Sequence, residues 1–170
     1  DANHFGKRRD YHRQEGILRI ELGKTYNAGE KLSVIVSYGG HPKEAVSPPW
    51  VGGFSWEKTK DGQQWIATSM QFDGADLWFP CKDHPSDEPE TVDLKIKVPK
   101  GLTVASNGVL KDQRDTEFKS TFHWHIANPI NNYNITLNIA PYEKLEQTFT
   151  NINGEKIPMY FYVLPENKAK

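Results

Sequence analysis

Val92-Asp93-Leu94-Lys95-Ile96-Lys97-Val98 alternates apolar and charged side chains without a break. Successive side chains of an extended chain point to opposite sides, so this stretch has one apolar face and one charged face. A helix would scatter the same residues around its circumference. The pattern recurs outward in both directions. Phe122, Trp124 and Ile126 alternate with His123 and His125, and Tyr133, Ile135, Leu137 and Ile139 with Asn134, Thr136 and Asn138. Upstream, Leu18, Ile20 and Leu22 alternate with Arg19 and Glu21, and Leu32, Val34, Val36 and Tyr38 with Ser33, Ile35 and Ser37. Strands with a single apolar face belong to antiparallel sheets packed on one side. No helical stripe exceeds two turns, and the fold class read from the sequence is all-β.

Turn residues separate these runs. Asn107-Gly108 and Asn153-Gly154 tolerate the positive φ of tight hairpin turns. Residues 41–53 carry three Pro and two Gly without alternation and read as a long connection, and Pro80 to Pro89 reads as a second. Residues 1–16 are polar and non-periodic, either a terminal arm or the start of a piece of a larger protein.

The chain has 170 residues, with 21 basic and 22 acidic side chains and a net charge of −1. A length near ~150 residues is one domain by the usual prior. The near-cancelling charge argues against a nucleic-acid binder that relies on bulk basicity. The one basic cluster, Lys7-Arg8-Arg9, sits at the extreme start and reads as solvated. No apolar run approaches the ~20 residues of a membrane span. Cys81, the single cysteine, cannot form an intrachain disulfide, so no compartment is indicated.

Familiar catalytic motifs are missing: the sequence contains no H-E-x-x-H, G-x-S-x-G, phosphate loop or C-x-x-C. His123-Trp124-His125 places two imidazoles on one strand face, yet no third ligand is identifiable, and the pair is expected to face solvent; no metal is assigned. Cys81, Asp83, His84 and Asp87 crowd one loop, where a reactive thiol would need a base and a depressed pKa. Trp65 and Trp124 fall in strand patterns and are expected in the core, which leaves Trp50, Trp56 and Trp78 as surface tryptophans. These support a second functional class, a stand-alone β-sandwich module binding peptides or carbohydrates. Asn134-Ile135-Thr136 fits a glycosylation sequon within a strand pattern.

Phe79-Pro80-Cys81-Lys82-Asp83-His84-Pro85 carries a family likeness. It resembles the Pro-Cys-x-Asp-x-Pro segment in the N-terminal domain of zinc aminopeptidases of the aminopeptidase N and leukotriene hydrolase family, the gluzincin metallopeptidases. The likeness continues in order through Val92 to Val98, Ser106-Asn107-Gly108 and Asn131-Asn132-Tyr133 to Tyr142, and upstream through Gly29-Glu30 and Tyr38-Gly39-Gly40. It covers roughly Ile17 to Leu164.

The resemblance implies a saddle-shaped, two-sheet β-sandwich-like domain that lacks its first strands. Residues 1–16 would then be a polar arm, 17–164 the N-terminal domain, and 165–170 the start of a linker to an absent catalytic domain. That domain would hold the zinc, and the parent would remove amino-terminal residues from peptides by a zinc-activated water. This chain alone would bind no cofactor and catalyse nothing. Its implied partners are the catalytic domain of the same polypeptide and the peptide substrate, with no nucleic acid and no membrane span. An incomplete sheet would also expose an edge through which copies self-associate.

The resemblance assigns one residue to the substrate. The Gln or Glu nine positions before the motif's Pro reaches the cleft in the family, and here that residue is Gln71. A Gln amide can accept from an α-ammonium and donate to a peptide carbonyl; the plainer alternative is a polar residue at a strand end. Where the family commonly has Arg, this chain has Asp76, and where it has a second Gln, Ser69. Pro80 and Pro85 each fix a φ angle and Asp83 can bond nearby backbone N–H groups. With Phe79 and a buried Cys81, they are expected to make a rigid corner that places Gln71.

Overall fold

The computed structural model describes residues 6–82, 84 and 86–168. Asp83 and Pro85 of the expected corner lie outside the described residues, as do 1–5 of the opening arm and 169–170 of the closing stretch. The chain forms two compact units, Asp1–His41 and Pro42–Lys170.

In the first unit, β1 (Tyr11–Gln14) pairs antiparallel with β2 (Ile17–Ile20) in the register Gln14↔Ile17. The two-residue loop between them, Glu15-Gly16, has positive φ at both positions, 51° and 80°. That backbone matches the right-handed twist of a hairpin, and Gly16 adopts it without steric cost. β1 begins inside the polar opening stretch, where no alternation announces it. The alternating residues 32–38 form no strand in the described structure and stay exposed. Alternation marks a chain able to pair, but a strand also needs a partner to satisfy its N–H and C=O groups.

The second unit is a two-sheet sandwich. One sheet orders β3 (Gly53–Lys58), β4 (Gln64–Ser69), β9 (Leu137–Ala140) and β6 (Thr103–Ser106) as β3-β4-β9-β6. The other places β8 (Lys119–Ile126) between β5 (Val92–Pro99) and β7 (Val109–Asp115). All their named pairings are antiparallel. The apolar faces of the strands meet between the sheets, those of β5, β8 and β9 as read from the sequence. Phe54, Val104, Leu137 and Ile139 come from one side and Val98, Phe122 and Trp124 from the other, with Met70 completing the buried cluster. The Trp124 indole N–H donates to the Val104 carbonyl at 3.2 Å, which satisfies its one polar atom across the core. β10 (Glu143–Thr150) and β11 (Lys156–Val163) form a separate two-stranded ladder.

One of the two tryptophans expected in the core lies elsewhere. Trp124 is buried as read, but Trp65 is exposed and donates its indole N–H to the Tyr142 hydroxyl at 3.0 Å. Alternation sorts faces without saying which strands reach the middle of a sheet, and Trp65 lies near the far end of the β3–β4 hairpin. The sequon residue Asn134 sits on a short 3-10 helix, Asn132–Asn134, rather than in a strand.

Candidate functional site

β4 ends at Ser69, and the chain then alternates between anchoring and exposure. Met70 is buried at 3% exposure and Ala75 is fully enclosed, while Gln71 and Phe72 between them are exposed. With Met70 and Ala75 buried at its two ends, the intervening turn is held at the surface. The Gly74 N–H closes it on the Met70 carbonyl at 2.8 Å. Gly74 takes φ 94°, open to glycine, and leads into the 3-10 helix Ala75–Leu77. Gln71 is exposed and, among the described residues, makes no hydrogen bond.

Asp73 holds the turn against the long connection. Its Oδ2 accepts the Gly52 N–H at 2.5 Å and its Oδ1 accepts from Lys43 Nζ at 3.1 Å. The Gly52 N–H first, and the Lys43 ammonium second, hold its carboxyl below the usual carboxylate range. Segment 43–45 is itself fixed to β3, because Phe54 N–H donates to the Lys43 carbonyl at 2.8 Å and Ala45 N–H to the Phe54 carbonyl at 2.9 Å. Phe72 packs its ring 5.5 Å from that of Trp50. The resemblance singled out Gln71 and gave no sign of the Asp73, Gly52 and Lys43 contacts, whose partnerships span 21 and 30 residues and leave no local pattern.

Of the expected corner, Phe79 is half-buried edge-on to Trp78 with centroids 4.9 Å apart, and its N–H donates to the Ala75 carbonyl at 3.1 Å. Pro80 is exposed and Cys81 is half-buried rather than enclosed. The buried Asn132 donates from Nδ2 to the Lys82 carbonyl at 2.6 Å, a tie to the loop that sequence reasoning also missed. Asp76 is exposed on the 3-10 helix. Trp50 and Trp56 are exposed and Trp78 half-buried.

The histidine pair belongs to the other sheet. His123 Nε2 lies 2.7 Å and His125 Nδ1 3.0 Å from the same Oδ1 of Asp93, which faces His125 across the β5–β8 ladder. Among the described residues no group of three His, Cys, Asp or Glu side chains is arranged to hold a metal. The described residues thus offer the zinc of the resembled family no such ligand set. Hydrogen bonds from His123 and then His125 lower the Asp93 pKa. A carboxylate with a lowered folded pKa adds stability above the ordinary carboxylate range and loses it as pH falls through the folded value. The melting temperature of Asp93→Asn is thus expected to fall below the unaltered chain's at pH 6, with the gap narrowing toward pH 3. Thermal scans that find equal gaps at both pH values would remove this role.

Residues 3–134 match the family described as the peptidase M1 N-terminal domain. Transcription initiation factor TFIID subunit 2 of Drosophila melanogaster is 33% identical over 89 residues, which are 51% of this chain and 7% of that protein. A two-domain M1 zinc metallopeptidase mutant bound to L-tryptophan superposes with a TM-score of 0.70 at 19% identity, over 96% of this chain and 39% of that one. The M1 zinc metallopeptidase from Deinococcus radiodurans gives 0.69 at 19% identity, over 91% and 34%. At these identities the structural likeness is one of fold. The chain spans well under half the length of each of these proteins.

Proposed function

Because the chain belongs to the peptidase M1 N-terminal domain family, we propose that it is the non-catalytic wall of a zinc aminopeptidase's substrate cleft. The metal and the reacting groups lie in the parent's catalytic domain, and this chain alone cleaves nothing. Gln71 binds the amino-terminal end of the peptide, its carbonyl accepting from the α-ammonium while its amide donates to a peptide carbonyl. One observation carries the reading: Gln71 is exposed and, among the described residues, makes no hydrogen bond, on a turn pinned by Met70, Ala75 and Asp73. Rigid support matters because a positioned hydrogen-bonding group loses little entropy on binding. The stand-alone module reading is not favoured, since the family match covers most of the chain.

The test is Gln71→Ala in the full-length parent. A hydrogen bond to a charged group contributes about 1.5–3 kcal/mol, so kcat/KM is expected to fall roughly 10- to 100-fold. Gln71→Glu should retain binding, because a carboxylate pairs with the ammonium. Unchanged kinetics in Gln71→Ala would refute the assignment. A second reading is favoured by the identity to a transcription initiation factor subunit: the domain as an assembly module in a parent without peptidase activity. A parent inactive on every amino-acid anilide, with no H-E-x-x-H in its sequence, would select it.

A further inference from the structure

Two large rings stand open to the outside at the same corner as Gln71. Trp50 is 68% exposed and Phe72 59% exposed, with centroids 5.5 Å apart and planes inclined by 33°. Burying such rings is strongly favourable, so an exposed, mutually packed pair marks a surface used for contact. Phe72 follows Gln71 directly in the turn. Trp50 lies two residues before Gly52, whose N–H is held by Asp73. The bond that pins the turn therefore also couples the two rings. Lys43 is paired with Asp73, and Gln71 is neutral. The two rings offer a ligand side chain apolar area.

We infer that the Trp50–Phe72 pair is a specificity-determining platform for the side chain of the substrate's amino-terminal residue, selecting aromatic and large apolar residues. The inference rests on the reading of Gln71 above, which holds the backbone end of the same residue. Ring-on-ring contact and buried area both grow with side-chain size, whereas a methyl group gains little from either.

The experiment is steady-state kinetics of the full-length parent on p-nitroanilides of Phe, Leu, Ala and Arg, with Trp50→Ala, Phe72→Ala, Trp50→Phe and Gln71→Ala compared at equal zinc content and melting temperature. The unaltered protein is expected to prefer Phe over Ala by at least about tenfold in kcat/KM. Trp50→Ala and Phe72→Ala should each lose about tenfold on Phe and less than about twofold on Ala, and Trp50→Phe should recover most of the loss. Gln71→Ala should lower all four substrates alike. Equal losses on Phe and Ala in the ring variants, or no Phe preference at the outset, would overturn the platform while leaving Gln71 in place. A silent Gln71→Ala would overturn the cleft reading and the platform with it.

Discussion

Phe122→Ala is expected to cost about 3–5 kcal/mol of unfolding free energy, the range for truncating a buried aromatic. Phe122 is 2% exposed on the central strand of the β5-β8-β7 sheet, directly opposite Ile96, and belongs to the cluster with Trp124, Val104 and Leu137. Both sheets contribute to its surroundings, so neither can collapse into the vacated space without disturbing its own ladders. For a chain of this length the loss lowers the melting temperature by about 10 °C. Phe118→Ala is the control, since that ring is 72% exposed just before β8. Its effect should stay within about 0.5 kcal/mol. Similar urea midpoints for the two variants would show that the sheets do not share this core.

Gly53→Ala is expected to cost about 3 kcal/mol, from two causes that add. Gly53 has φ 136°, a region L-residues rarely enter. A β-carbon there would also collide with the Lys43 carbonyl and come within 2.8 Å of the Glu44 carbonyl carbon and 2.9 Å of the Ala45 nitrogen. The colliding atoms are backbone already bonded to Phe54, so relief requires moving segment 43–45 and with it the Lys43–Asp73 pair. Gly62→Ala separates the causes, because Gly62 has φ 78° with open space around it. That variant should lose only about 1–2 kcal/mol. Equal losses in the two, measured by urea denaturation, would mean the close approach at Gly53 contributes nothing.

The candidate site was half legible. Gln71 is singled out by the family resemblance, through its place nine positions before Pro80, because a motif fixes positions along the chain. Asp73 does not emerge, since its meaning lies in Gly52 and Lys43, and nothing around an Asp-Gly pair names a partner in another loop. The histidine pair was legible as a shared face; its convergence on Asp93 depended on how β5 and β8 align.

Two identical dipeptides mark the boundary between what the chain specifies locally and what folding decides. Asn153-Gly154 closes the β10–β11 hairpin, with Gly154 at φ 81° and the Asn151 side chain accepting two backbone N–H groups. Asn107-Gly108, with Gly108 at φ 82°, instead carries the chain from β6 in one sheet to β7 in the other, and Asn107 Oδ1 accepts the Thr136 N–H at 2.7 Å. The residues alone determined the all-β class, the apolar faces of β5, β8 and β9 and the Asn-Gly positive-φ sites, because side-chain alternation and φ preference are properties of adjacent residues. Which strands pair, which tryptophans are covered and what holds Gln71 outward were settled only in three dimensions. Hydrogen-bond ladders and apolar burial are satisfied between segments distant in sequence, and several pairings compatible with the same local preferences compete until the best-packed one wins.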